Sequence, residues 1–240
     1  MNDPGVFLQK SCLKGVLLID KPKNVTSFSL VKALRKATLV QKIGHAGTLD
    51  PFATGLMVML LGKEYTTLSQ HYTSEGKEYQ CTIVLGVATD SYDLDGKITA
   101  RSSHIPKREE VEQLLSYFQG AIQQIPPMFS AKKIKGKRLY QLARLGIEVA
   151  RTPITVTVQT NLLSYEYPHL SLHIICSKGT YIRSMAHDIG ARLGCGGHLS
   201  ELRRLSSGNF HVNSSYDGHF LFSGEPKDLL LSKLEKKVKI

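Results

Sequence analysis

IGHAGTLDPFATGLMVMLLG, residues 43–62, sets two kinds of sequence side by side. In the first part Gly44, Gly47 and Gly55 permit tight turns and a close approach of another group to the backbone. The second, Leu56 to Leu61, is an unbroken apolar run. Periodicity alone does not separate strand from helix there, but its brevity favours a buried strand. Between them stands Asp50, which Pro51 biases toward an extended backbone. A carboxylate held in this way can act as nucleophile, general base or electrostatic partner of a developing cation. The commoner use of an isolated Asp-Pro is a turn aspartate bonded to nearby amides. His45, beside a glycine, has the similar alternative of an exposed ring.

On the N-terminal side, Val16 to Ile19 reads as a short buried strand stopped by Asp20-Lys21-Pro22. Thr26 or Ser27 caps a helix from about Phe28 to Ala37, with Leu30, Val31 and Leu34 inward. Downstream, Tyr79 to Leu85 alternates as a strand, and acidic turns follow around Asp90 to Gly96. Pro106 introduces a helix from Lys107 to Phe118, with Val111, Leu114, Leu115 and Phe118 at helical spacing. Further strands are expected at Ile154–Thr160 and Leu170–Cys176, with Thr180–Ile182 as a strand-like approach to a helix. That helix runs from Arg183 to Leu193 and ends at Gly194. The pattern predicts a mixed α/β (α+β) protein on one large, mainly antiparallel sheet.

The 240 residues carry a formal net charge of +11, from 31 Lys plus Arg against 20 Asp plus Glu. That excess favours a polyanionic partner, either nucleic acid or an anionic membrane surface. It is concentrated between Ala131 and Arg151. Lys132, Lys133, Lys135, Lys137, Arg138, Arg144 and Arg151 stand there against Glu148 alone, with Tyr140 among them and Phe129 at the edge. Cations interleaved with aromatics suit a phosphate backbone and occasional stacked bases; a solvated loop and surface helix is the alternative.

Cys12, Cys81, Cys176 and Cys195 are far apart, so neither a zinc site nor a redox pair is indicated. The longest apolar stretch, residues 55–62, is far too short to cross a bilayer. A soluble, cytoplasmic protein is expected. No HExxH, GxxxxGK[ST] or GxGxxG is present, which favours chemistry without a metal or nucleotide cofactor. Two other residues draw attention. Arg183, in KGTYIRSMAHDIG (178–190), can hold a carboxylate bidentately and keep it ionised. Tyr79, in GKEYQC (76–81), is either a core-facing strand aromatic or a surface against which a planar base stacks.

Four blocks carry a resemblance: GVLLIDKPKNVTSFSLV, IGHAGTLDPFATGLMVMLLG, PPMFSAKKIKGKRLYQLARLGIEVAR and CSKGTYIRSMAHDIGARLGCGGHLSELRRLSSGNF. In this order and at these separations the chain, from Gly15 to about Phe210, resembles the bacterial tRNA pseudouridine-55 synthases of the TruB type. The combination of GHAGTLDPxATG with GTYIR is highly specific, whereas a lone DKP or a lone GTYIR is weak.

The resemblance implies a pseudouridine-synthase fold with flanking helices and an RNA-binding insertion, acting without a cofactor or metal. It implies that Asp50 is the catalytic aspartate, that Arg183 pairs with it, and that Tyr79 lies beside the uracil. His45 is similar to the histidine that holds the loop with its target nucleotide flipped out. Tyr181 lies at the same strand end as Arg183, and Leu202 resembles an apolar residue that closes the base pocket. Residues from about 126 to 151, including Lys132, Lys133, Lys135, Arg138 and Arg144, resemble the RNA-gripping insertion.

The implied organisation is a catalytic domain over residues 1–212 and a short extension over 213–240, without the PUA-type domain of many relatives. The implied partner is the T-arm stem-loop of tRNA, with no membrane, no obligate protein partner and a monomeric state. Asn24 replaces a glycine common after the DKP turn, and Thr67 stands where lysine is frequent. Two alternatives stay open. One is a synthase of this fold acting on another structured RNA. The other is a non-catalytic RNA-binding protein, which would tolerate loss of Asp50 or Arg183.

Overall fold

The computed structural model describes residues 13–130, 132–134 and 136–223. Cys12, Lys135 and the lysine-rich stretch 227–240 therefore lie outside the described residues. The chain opens with β1 (Gly15–Lys21), α1 (Ser27–Thr38), β2 (Ile43–Ala46), β3 (Thr54–Leu61), α2 (Lys63–Thr67) and α3 (Ser69–Ser74). Next come β4 (Lys77–Leu85), β5 (Val87–Thr89), β6 (Ile98–Arg101), α4 (Arg108–Leu115), a 3-10 turn (Ser116–Phe118) and β7 (Gly120–Gln124). β8 (Lys133–Ile134), β9 (Lys137–Arg138), α5 (Leu139–Arg144), β10 (Ile154–Glu166), β11 (His169–Cys176) and α6 (Ile182–Arg192) follow. β12 (Gly197–Ser207), β13 (Phe210–His211), β14 (Tyr216–Asp217) and α7 (Phe220–Ser223) complete the order. The fold is mixed α+β with a large, mostly antiparallel sheet, as the pattern of elements predicts.

The chain divides into two compact units, one up to Glu75 and again from Arg203, the other from Gly76 to Leu202. In the first, β3 is the centre. β1 runs antiparallel along its whole length, from Gly15 opposite Leu61 to Lys21 opposite Gly55. β2 pairs antiparallel with the end of β3, and Arg203–Arg204 pair parallel with its start. β14 adds to β1 in parallel, at Ile19 opposite Tyr216. Val16, Leu18, Leu56, Val58, Leu60, Tyr72 and Val212 form one apolar cluster. Met57, on the opposite face, meets Ser27 at the start of α1. Both faces of β3 are covered, which is why its sequence is a run and not an alternation.

α1 begins where Thr26, in extended conformation, accepts a hydrogen bond from Ser29 N–H. It turns Leu30, Val31 and Leu34 inward as the spacing predicts. Asn24 adopts φ 64°, the left-handed conformation for which asparagine substitutes for glycine. At Gly55 (φ 100°) an added Cβ would sit 2.3 Å from the carbonyl oxygen of Arg204, so only glycine lets β12 approach there.

In the second unit β4, β11, β10 and β7 pair antiparallel in that order. The first part of β12 lies beyond β4, and Ser200 Oγ donates to Thr82 O (3.0 Å). β4 alternates cleanly: Lys77, Tyr79, Cys81, Ile83 and Leu85 are buried. Two expectations need correction. The helix from Pro106 is α4 over Arg108–Leu115 only, because residues 116–118 tighten into the 3-10 turn. Thr180–Ile182 is not a strand: Tyr181 is an extended cap (φ −104°, ψ 104°), and Ile182 already belongs to α6.

Candidate active site

Asp50 lies half-buried in the loop between β2 and β3, and that loop is gripped on both sides of it. Ser27 Oγ accepts from Leu49 N–H (3.0 Å) and donates to Leu49 O (2.9 Å). Pro51 O accepts from Asn24 N–H (2.8 Å) and from Lys21 Nζ (3.1 Å). Arg204 Nη2 donates to Gly47 O (3.2 Å) while its Nε donates to Leu56 O (2.7 Å). Asp50 O itself accepts from Ala53 N–H, which closes the turn. The backbone is thus fixed at residues 47, 49 and 51, so the Asp50 carboxylate is presented from a loop with little freedom of its own.

Two of the gripping groups are cations with almost no exposure. Lys21 is fully buried, and its ammonium also donates to Pro22 O (2.9 Å) and Val25 O (2.7 Å). Burial pulls its pKa down to about 8 against the opposing pull of Asp50, with Arg204 adding to the fall. Arg204 is 1% exposed. Charges so placed persist only when their donors are satisfied and a negative group is near. Sequence reading passed over both residues; the unbroken DKP turn was the available signal for Lys21, whereas nothing in LRRL singles out Arg204.

His45, on β2 opposite Met59, is half-buried in the same unit. Burial, then the positive charge of Arg204, lowers its pKa, so the imidazole is neutral at pH 7. Its Nδ1 is buried and makes no hydrogen bond. A neutral ring of this kind is suited to stacking, not to holding a phosphate.

The remaining candidates belong to the second unit. Tyr79 is 7% exposed on β4, opposite Ile174 of β11. Tyr181 is fixed by a reciprocal pair: its N–H donates to Gln124 Oε1 (2.7 Å) and its carbonyl accepts from Gln124 Nε2 (3.0 Å). Ser184 Oγ donates to Ile125 O (2.8 Å), so the end of β7 sets the start of α6. Arg183 is buried between them. Its Nη1 donates to Asp93 Oδ2 (3.1 Å) and Ser91 O (3.2 Å), and its Nη2 donates to Phe129 O (2.7 Å). Asp93 is not singled out by the sequence, where Asp90 to Gly96 reads only as acidic turns. Leu202 is 8% exposed on β12.

Phe129 lies at the start of the basic segment. Arg151 Nη1 donates to Pro126 O (3.2 Å) and so draws the two ends of that segment together. Within it Lys133–Ile134 pair antiparallel with Lys137–Arg138, and α5 follows. Lys132 is half-buried; Arg144 is exposed and lies over the Tyr140 ring at 5.5 Å. Among the described residues no group of three or more His, Cys, Asp or Glu is placed to hold a metal ion. Nor is any helix there long and apolar enough to cross a membrane.

Comparison with known proteins gives consistent matches. A family model described as TruB family pseudouridylate synthase (N terminal domain) matches residues 35–182, and one described as tRNA pseudouridylate synthase B C-terminal domain matches residues 183–222. The tRNA pseudouridine synthase B of Chlamydia muridarum is 56% identical over 209 residues, covering 87% of each chain. That of Clostridium kluyveri is 41% identical over 213 residues, covering 88% of this chain and 73% of the relative. Among solved structures, one titled Crystal Structure of a Cbf5-Nop10-Gar1 Complex superposes with a TM-score of 0.70 at 28% identity. It covers 92% of this chain, which spans 59% of that one.

Proposed function

The chain belongs to the TruB family of pseudouridylate synthases, and on that premise we propose that it isomerises the uridine at position 55, in the T-arm loop of tRNA, to pseudouridine. It is a tRNA-modifying enzyme, and Asp50 is its catalytic carboxylate. In the reaction the C1′–N1 glycosidic bond breaks, the uracil turns while enclosed, and C1′ joins C5. The C5 proton leaves and N1 gains one, so no co-reactant is consumed. The target base must first leave its stack, at a cost of a few kcal/mol recovered from contacts to base and backbone.

The observation that carries the assignment is the loop around Asp50, held at Gly47, Leu49 and Pro51 by Arg204, Ser27 and Lys21. A group that attacks or deprotonates a sugar needs fixed geometry. Arg183 and Tyr79 are the further members of the catalytic set. Arg183 supplies a guanidinium already oriented by Asp93, and Tyr79 an aromatic face for the uracil and a hydroxyl for the later proton transfer. His45, Tyr181 and Leu202 bind the flipped nucleotide, and Lys132, Lys133, Lys135, Arg138 and Arg144 bind the RNA backbone. The enzyme acts as a cytoplasmic monomer without an obligate protein partner.

The test is Asp50→Asn. Pseudouridine formation in unmodified tRNA is lost, while tRNA affinity stays within about tenfold, because phosphate contacts supply most of it. Substantial turnover by the Asn variant would remove Asp50 from the mechanism.

A further inference from the structure

Between Lys21 and Leu49 the chain carries Lys21, Lys23, Lys32, Arg35, Lys36 and Lys42 and not one acid. Lys21 is consumed by the loop that holds Asp50; the other five are not. Among the described residues none of those five takes part in an ion pair. α1 arranges three of them. Leu30, Val31, Leu34 and Thr38 face inward, and Phe28, Lys32 and Lys36 stand exposed at intervals of four, one straight stripe along the outer face. Arg35 borders the stripe, and its Nε is buried without a hydrogen-bond partner. Phe28 is 55% exposed, with Lys32 Nζ 5.2 Å from its ring centroid.

Two bland accounts cover only part of this. Cations in a last helical turn complement the helix C-terminus, which explains Arg35 and Lys36 but not Lys32 or Lys23. A single exposed apolar residue is ordinary, but Phe28 is an aromatic at the head of a row of cations. From Phe28 to Lys36 the stripe is about 12 Å long, at 1.5 Å per residue. That matches roughly three to four nucleotides of one strand at 3.4 Å each. Beyond α1, Lys42 directly precedes β2, three residues before His45.

We propose that the outer face of α1, with Phe28, Lys32, Arg35 and Lys36 and continuing to Lys42, is a second RNA-binding surface that tracks the substrate backbone beside the target nucleotide. It is built from residues other than those of the basic segment at 126–151. The lysines and Arg35 neutralise successive phosphates, and Phe28 offers a face to a neighbouring base or ribose. This inference rests on tRNA being the substrate, and it places part of the grip in the first unit of the chain.

The experiment measures affinity of the full chain for unmodified tRNA from about 50 to 300 mM KCl. It compares wild type with Lys32→Gln/Arg35→Gln/Lys36→Gln, and separately with Lys32→Gln/Lys36→Gln, whose two positions are exposed. Each phosphate contact contributes about 0.9 to the slope of log K against log salt. The triple variant is expected to lower that slope by about 2 to 3 and to weaken binding on the order of tenfold near 0.15 M salt. The double variant lowers the slope by about 2. Turnover at saturating tRNA stays within about twofold of wild type, because the stripe binds backbone and not the reacting base. Phe28→Leu weakens binding several-fold with the slope unchanged.

A wild-type slope in both cation variants, with melting temperatures unaltered, would overturn the proposal. So would loss of binding to anionic phospholipid vesicles in those variants with tRNA binding intact. Failure of the wild-type protein to form pseudouridine in any tRNA would instead sink the underlying reading, whatever the slopes.

Discussion

The hydroxyl of Ser27 both accepts a hydrogen bond from the Leu49 amide and donates one to the Leu49 carbonyl, across 22 residues of chain. One small side chain thereby satisfies both backbone groups of the residue before Asp50. No other residue type of that volume, at the first position of α1, can do so: alanine has no polar atom, and cysteine is a weak donor and acceptor. Ser27→Ala leaves two buried backbone groups unsatisfied, at about 1–3 kcal/mol each. The expected result is a loss of stability of about 2 kcal/mol or more and a turnover reduced by about tenfold or more, with tRNA affinity nearly unchanged. Chemical denaturation and single-turnover pseudouridine formation check the two parts. Unchanged turnover in a destabilised variant would mean that the loop needs no such fixing.

A second clamp, in the other unit, orients Arg183. Asp93 and Arg183 are each 7% exposed in their side chains, and Asp93 Oδ1 meanwhile accepts from Asp95 N–H (3.2 Å) and from Ser91 Oγ. In Asp93→Asn one of the two acceptor oxygens becomes an NH2 donor that faces either Arg183 or the Asp95 N–H, and the guanidinium loses a buried counter-charge. Breaking such a pair costs about 3–5 kcal/mol. Turnover should fall at least a hundredfold with tRNA binding within about tenfold. Arg183→Lys should behave similarly, since lysine keeps the charge but loses the planar fork that reaches Asp93, Ser91 and Phe129 together. Near-normal kcat in both variants would reduce Arg183 to a packing role.

These two clamps also show what sequence reading can and cannot reach. The strands and helices that pack one clean face, such as β4 and α1, follow from periodicity because burial alone sets their pattern. β12 was missed although it has 11 residues. Its buried positions pass from odd numbers, Gly197 and Leu199, to even ones, Leu202 and Arg204, and a fully buried arginine stands where an apolar residue belongs. Asp50 was legible because glycines and Pro51 flag an unusual turn, and the family resemblance then assigned it a role. Its supports were not. Ser27, Lys21 and Arg204 act through backbone carbonyls and amides distant in sequence, and Asp93 through the side chain of Arg183, and such contacts leave no periodic trace.

Lys21 gives the clearest pH signature. Its folded pKa, about 8, lies below the ordinary 10.5 because burial disfavours the charged form. Between pH 8 and 10.5 the unfolded chain therefore holds a proton that the folded chain has released. The charge of Lys21 costs stability in full below pH 8, and that cost is relieved as pH rises through this window. Activity should move the other way. Above pH 8 the loop loses a positive neighbour of Asp50 and one of the ammonium hydrogens shared among Pro22, Val25 and Pro51. Wild-type kcat is expected to decline with an apparent pKa of about 8. Lys21→Met, of similar length, should be slower at neutral pH and flat across that range. Relative to this variant, wild-type stability should rise from pH 8 to 10.5. An alkaline limb that persists in Lys21→Met would assign the titration to another group.

The last prediction concerns how much of the tRNA the enzyme needs. If the T-arm supplies the contacts that matter, the 126–151 segment and the α1 face grip its backbone, and His45 and Tyr79 hold the flipped nucleotide. A minimal unmodified T stem-loop should then have kcat/KM within about tenfold of full-length tRNA, or about 1.4 kcal/mol. Salt should weaken both substrates with similar slopes, because similar numbers of phosphates are neutralised. The competing expectation is that the lysine-rich residues 227–240 reach beyond the T-arm. Lys227, Lys233, Lys236, Lys237 and Lys239 stand there, but Asp228 and Glu235 are interspersed and offset part of that charge. Such a reach would give full-length tRNA a clear advantage and a steeper slope. Comparing both substrates for the intact chain and for one ending at Pro226 decides between them. A large preference for full-length tRNA that vanishes on truncation would overturn the T-arm reading, whereas equal slopes for both proteins and both RNAs would uphold it.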